Sequence, residues 1–181
     1  MLTRASMRGM TMIEVLIALA LLSLAIVGQI RLQVFSLSVA KDADNRTLAS
    51  MMAADLADRM RANRDGFNLG SYSLSAGTDR TCAATHYNHV HAAPITCTPA
   101  QLADDDLADW RARMAARLPG GEGVACRDST PADGTSAAAH ACDGLGTTTV
   151  IKVWWTGKPS TSVTGQVLTA LPARHVIVFN P

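Results

Sequence analysis

The chain has 181 residues, 17% charged and 4% aromatic, with 16 basic and 15 acidic side chains and a formal net charge of +1. That length suits one modest domain plus one long element. The near-neutral balance excludes a general electrostatic case for binding nucleic acid. Two of the positive charges, Arg4 and Arg8, lie at the very start, and without them the formal charge is −1, from +1 minus 2.

The first predicted element is apolar. Residues 10–30 read MTMIEVLIALALLSLAIVGQI and hold one charged side chain, Glu14. At a rise of about 1.5 Å per residue this stretch spans roughly 31 Å, one hydrocarbon thickness. A secretory signal peptide would end in a small-x-small cleavage site near residue 30. The sequence there is Gly28-Gln29-Ile30-Arg31-Leu32-Gln33, a poor match, and the apolar run continues into helical sequence. A carboxylate inside a membrane segment costs about 3 kcal/mol when unpaired, so Glu14 is a functional candidate, with a chance glutamate in an ordinary signal anchor as the plainer reading. No Lys or Arg occurs between Met10 and Ile30. A cut between Gly9 and Met10 would create the missing cation, the α-amino group of Met10. A neighbouring subunit displaced by about one helical turn would bring its own amine beside that carboxylate.

The helical pattern runs on. Between Met10 and Asn63 there is no proline and one glycine, Gly28. Beyond residue 30 the pattern turns amphipathic, with Ile30, Val34, Leu37, Leu48, Met52, Leu56 and Met60 at spacings near four. In Asp55-Leu56-Ala57-Asp58-Arg59-Met60-Arg61 acids precede bases by three and four, which supports a helix. Gly66 is the expected stop. The polar stretch Lys41–Arg46 is where fraying or bending is expected, and Arg59, Arg61 and Arg64 read as a solvated basic face.

The remainder, 65–181, reads as a head. All four cysteines, Cys82, Cys97, Cys126 and Cys142, fall in it, which points to disulfides formed in an oxidising compartment. Three pairings are possible, of which the sequence-local one closes two loops of similar size. Each bridge is worth roughly 3 kcal/mol. His86, His89 and His91 lie between the first two cysteines. Zinc ligation is conceivable at such spacings, but oxidation of the thiols favours solvated loop histidines. Thr98-Pro99-Ala100-Gln101 has the form of a capping box with proline at the first helical position. Ala103, Leu107, Trp110, Met114 and Leu118 then share one face, giving a helix over 99–118, and Pro119-Gly120-Gly121 ends it. The run Asp104, Asp105, Asp106 is expected to face solvent near the helix N-terminus. Strands are expected at Glu122–Cys126, Thr147–Trp155, Gln166–Leu171 and His175–Phe179, with Gly157–Gly165 as a turn. In the strongest, Ile151, Val153 and Trp155 alternate with Val150, Lys152 and Trp154. Such a sheet buries one face and leaves the other wet. Trp154-Trp155 offers a stacking surface for single-stranded DNA on paper, yet tryptophans in an alternating strand are ordinarily core. No Ser-His-Asp set, phosphate loop or paired carboxylate set stands out, so no catalytic residue, cofactor or metal is expected.

Arg8-Gly9-Met10-Thr11-Met12-Ile13-Glu14-Val15-Leu16-Ile17-Ala18 resembles the class III leader junction of type IV prepilins, with Met10 where phenylalanine is usual. The stretch from Ala49 to Arg64, and more moderately the segment CTPAQLADDDLADWRARMAARLPGG, is similar to the PilV family of minor pilins, the type IV pilus modification protein. The resemblance implies an α+β, type IV pilin-like fold: a long N-terminal helix, transmembrane and then amphipathic, packed on a small antiparallel sheet. It implies a leader peptide at 1–9, a membrane or fibre-core half-helix at 10–30, an amphipathic half at 31–64 and a periplasmic head at 65–181. A prepilin peptidase would cut between Gly9 and Met10 and methylate Met10, and Glu14 would guide subunit addition. The implied partners are that peptidase, other minor pilins, the major pilin, the inner-membrane assembly platform and, before assembly, membrane lipid. The implied place is the inner membrane, then the surface pilus. A type II secretion pseudopilin, or a tip subunit for DNA uptake or adhesion, shares most of these features.

Overall fold

The computed structural model describes residues 11–74, 77, 82, 97–157 and 172–179. The chain divides into two compact units, Met1–Lys41 and Asp42–Pro181. Helix α1, Met12–Ala62, contributes to both. Gly28 does not interrupt it, and it is unbroken through the polar Lys41–Arg46 stretch, where Asp42 and Arg46 pair one turn apart at 3.1 Å. In the first unit every residue from Thr11 to Leu37 is exposed.

In the second unit α1 turns inward. Ala49, Met52, Ala53, Leu56, Ala57 and Met60 are buried, a spacing of three and four that puts them on one face. The helix ends at Ala62, earlier than Gly66 (the expected stop). Asn63 leaves helical geometry at φ −104°, ψ 62°, and its side chain accepts from the Gly66 backbone N–H, capping a short helix α2, Arg64–Asn68. Gly66 lies inside α2, where a Cβ would sit 2.5 Å from Asn63 Nδ2 and 2.6 Å from the Pro99 carbonyl. Close approach, not termination, is what this glycine serves.

Helix α3, Pro99–Arg117, starts on the complete capping box: the Thr98 side chain accepts from the Gln101 N–H, and Gln101 reaches back to the Thr98 N–H at 3.0 Å. Its buried face carries Ala103, Leu107, Trp110 and Met114. The Trp110 indole donates to the Met52 carbonyl of α1 at 2.8 Å. Strands β1, Glu122–Arg127, β2, Thr149–Thr156, and β3, Pro172–Phe179, form an antiparallel sheet in the order β1-β2-β3. Glu122 pairs with Trp154, Val150 with Val178. Strand β3 begins three residues before His175, and the strand expected at Gln166–Leu171 lies outside the described residues.

The alternation of β2 is as the pattern requires. Ile151, Val153 and Trp155 join the main core with α1 and α3. The opposite face is covered over β1 and β2, while Arg174 and Val178 of β3 stay exposed. Val124, Cys126, Val150 and Trp154 form a second cluster, with Ala137 and Cys142 from the β1–β2 connection packed on it. That connection, residues 128–148, carries the reason: the Cys126–Cys142 bridge, with Cα atoms 6.3 Å apart, holds it across the sheet. The Glu122 carboxylate accepts from the Ala137 N–H at 3.0 Å, and the Arg174 guanidinium donates to the carbonyls of Ala132, Asp133 and Gly134. Trp154 and Trp155 are both core, 1% and 2% exposed, and offer no stacking surface.

Candidate functional site

Glu14 lies in the first turn of α1, where negative charge is favoured by the helix dipole. It is exposed, and so are its apolar neighbours Ile13, Val15, Leu16 and Ile17. Exposed apolar side chains continue to Leu37 and Val39, interrupted between Thr11 and Ala40 by two charges only, Glu14 and Arg31. Among the described residues α1 is the helix long and apolar enough to cross a membrane. Such a surface is unsuited to water along its whole circumference and requires lipid or other helices around it. Gly9 and Met10, the residues flanking the expected cut, lie outside the described residues.

The second unit holds a charged network that the sequence did not disclose. Arg59, read as solvated, is half-buried on α1 and donates to Asp106 and Asp109 of α3, each at 3.0 Å, and lies 3.3 Å from Asp55. Arg113 of α3 lies 2.8 Å from Asp55 and 3.0 Å from Asp109. In the run Asp104, Asp105, Asp106 the last two are turned from solvent, and Asp104 is half-exposed. Asp105 is 4% exposed, and Asp106 accepts from the Tyr72 hydroxyl at 2.6 Å as well as from Arg59. Burial, then the bond to Asp106, push the Tyr72 hydroxyl well above its usual range. Desolvation lowers the Arg111 guanidinium, opposed by the charge of Asp104. Arg61 differs from Arg59: it stays exposed, paired with Asp58 at 2.6 Å, and its guanidinium sits 4.8 Å from the Phe179 ring centroid. Arg64 is exposed, as expected of a solvated base.

Both disulfides follow the sequence-local pairing. Cys82–Cys97 and Cys126–Cys142 have Cα atoms 5.9 and 6.3 Å apart. Asp128 lies close enough to Cys126 and Cys142 for a three-ligand metal cluster, but the two sulfurs are bonded to each other and Asp128 is engaged by Lys152 at 2.5 Å. A disulfide sulfur is no thiolate ligand. His86, His89 and His91 lie outside the described residues. The strongest residue missed at the sequence level is Lys152, fully buried between Val150 and Trp154. Its one signal is a lysine inside an otherwise apolar strand. A cleft of about 450 Å³ opens between α2 and the sheet, lined by Phe67, Leu69, Tyr72, Arg127, Thr147 and Thr149. Its lining provides one guanidinium, hydroxyls and aromatic edges, with no nucleophile set beside a base.

Comparison with known families meets this geometry at both ends of α1. Residues 4–28 match the prokaryotic N-terminal methylation motif, and residues 31–108 match the Tt1218-like family, described as type IV pilin Tt1218. No curated protein matches the chain, and no solved structure does. The long apolar N-terminal helix followed by a small three-stranded antiparallel sheet is the architecture of a type IV pilin fold, and the two matches make the chain similar to N-methylated prepilins over 4–28 and to Tt1218-like type IV pilins over 31–108.

Proposed function

We propose that this chain is a minor pilin, of the PilV kind, made with the leader 1–9 and used as a building block of a type IV pilus without catalytic activity of its own. Prepilin peptidase cuts between Gly9 and Met10 and methylates Met10. The mature helix waits in the inner membrane with the head in the periplasm, then packs beside other minor pilins and the major pilin on the assembly platform. There it helps to start or extend the fibre. The observation that carries this reading is Glu14: one exposed carboxylate in an exposed apolar helix, inside a matched methylation motif. Moving such a helix from lipid into a bundle of similar helices leaves its apolar surface in apolar surroundings. What changes is the charge. In a bundle Glu14 needs a cation, and the amine of a neighbour's first residue supplies one only at the correct stagger, because a buried unpaired charge penalises every other register.

Glu14→Ala tests it. The variant is expected to reach the membrane and be cut before Met10 like the wild type, seen by mass spectrometry of the N-terminal peptide. Its incorporation into sheared fibres is expected to fall at least about ten-fold, as truncating one partner of a buried charge pair does. Normal fibre content in that variant would remove the register mechanism. A mature chain starting at Met1 would remove the prepilin reading, and export of a secreted substrate failing in its absence would favour a type II secretion pseudopilin.

A further inference from the structure

Arg31 is the second charge in the apolar stretch, and the pilin reading above gives it no task. It is exposed on α1, and the first ion pair along that helix among the described residues is Asp42–Arg46, further on. From Met12 to Arg31 the helix rises about 28 Å, close to one hydrocarbon thickness. While the helix sits in lipid, the guanidinium therefore reaches the headgroup layer. The apolar surface does not stop there. Leu32, Phe35, Leu37 and Val39 are 70%, 63%, 71% and 51% exposed. From Met12 to Val39 the surface extends roughly 40 Å, longer than the ~30 Å that lipid tails can cover. Its last turns need a protein neighbour, and a helix that covers Leu32 and Phe35 also takes Arg31 out of water.

The chain's own acids do not follow Arg31 there. Glu14 is 17 positions before it (31 minus 14) and Asp42 is 11 after it, several helical turns in either direction. Asp42 is moreover already bound to Arg46. The acceptor has to come from another helix at the same depth, and the acid that belongs to the apolar stretch is Glu14. Two parallel helices displaced by 17 residues, about 25 Å, bring the Glu14 carboxylate of one against the Arg31 guanidinium of the other. The reach of an arginine side chain tolerates a few ångströms either way. A carboxylate has room for about four hydrogen bonds, so an amine from one neighbour and a guanidinium from a second can share it.

We infer that Arg31 is a second register residue, which pairs with the motif glutamate of another pilin helix staggered by about 25 Å, distinct from the neighbour whose terminal amine meets Glu14. This rests on the pilin reading, and the variants separate the two. Full-length Arg31→Gln, Arg31→Lys and Glu14→Ala chains are compared for membrane level, cleavage before Met10 and content in sheared fibres. Arg31→Gln is expected to be inserted and cut normally but to lose about ten-fold in fibre content, while Arg31→Lys keeps most of it. A photoreactive residue replacing Leu32 is expected to cross-link to a peptide carrying a pilin's motif glutamate. Normal fibre content for Arg31→Gln beside a defective Glu14→Ala would overturn the Arg31 inference and leave the pilin reading standing. Loss of Arg31→Gln already at membrane insertion, or cross-links to lipid alone, would also overturn it by assigning the arginine to anchoring. Normal incorporation of Glu14→Ala would sink both.

Discussion

Lys152 shows how much a single side chain carries in the sheet. It is 0% exposed, with its ammonium 2.5 Å from Asp128 Oδ2, 2.7 Å from Asp133 Oδ1 and 2.9 Å from the His140 carbonyl. Asp128 is itself buried; Asp133 is half-exposed, and its carboxyl is held below the ordinary 3.8 by the bond from Lys152 and then by Thr130. A depressed carboxyl contributes stability above its ordinary value and loses it as pH falls through the lower folded value, so this contact persists through mild acid. Removing one member of a buried pair is worse than removing both, because the survivor keeps its desolvation penalty without compensation. Lys152→Met is therefore expected to lower stability by about 3 kcal/mol, mainly by stranding Asp128. Adding Asp128→Asn should restore part of that loss. Urea unfolding of the detergent-solubilised full chain, followed by tryptophan fluorescence beside Trp154, measures both. Strictly additive losses in the double variant would show that the two groups are not coupled.

At the scale of elements, α1 and α3 are joined by chemistry of two kinds. Apolar residues at spacings of three and four bury Leu56, Met60, Leu107 and Met114 against the sheet. Beside them Arg59 bonds Asp106 and Asp109 in two directions. Because Asp106 also holds Tyr72, and Asn63 donates to both Tyr72 and the Pro99 carbonyl, one network fixes the end of α1, the start of α3 and the turn after α2. Arg59→Met keeps the aliphatic volume and removes the charge. It is expected to cost about 2 kcal/mol, the worth of charge-assisted bonds at half-buried sites, with the loss shrinking in high salt. A loss below a few tenths, or one indifferent to salt, would make the network a decoration of the apolar contact. This network also marks where the sequence stops being readable. The capping box of α3, its apolar face and the two-sided alternation of β2 are local patterns, and the sequence declares them. Whether Arg59 or Asp105 meets water depends on which helix lies opposite, and no local spacing encodes that. The expected wet face is covered over β1 and β2 for a similar reason: Ala137 and Cys142 sit in the β1–β2 connection with no strand or helix pattern of their own, and are held over the sheet by a bridge whose pairing four cysteines leave open. Glu14 was legible because a carboxylate in an apolar run is anomalous wherever it stands. Arg31 could be read the same way, but its meaning emerges only when the exposed apolar surface is seen to outrun a bilayer.

At the scale of the whole molecule, the two compact units draw on different solvents. Among the described residues the core of Asp42–Pro181 begins at Leu48 and Ala49 and closes with Ile177 and Phe179, and it includes none before residue 42. The exposed apolar surface before residue 42 is the opposite case: among the described residues nothing in its own unit buries it, and it depends on lipid or on other helices. A protein built this way can keep a finished head while its helix exchanges one apolar environment for another, as the proposed assembly demands. The consequence is testable by truncation. A chain comprising residues 42–181, secreted into an oxidising compartment, is expected to be soluble and monomeric and to form Cys82–Cys97 and Cys126–Cys142. It should unfold in one cooperative transition, because its apolar core and both bridges are intact. Reducing the bridges should then lower its stability by roughly 3 kcal/mol each. Near-UV circular dichroism reports Trp110, Trp154 and Trp155 in fixed surroundings, and non-reducing peptide mapping reports the sulfur links. A collapsed product without near-UV signal, or one that needs detergent to stay in solution, would mean that the apolar half of α1 is part of the folding unit and not only its anchor.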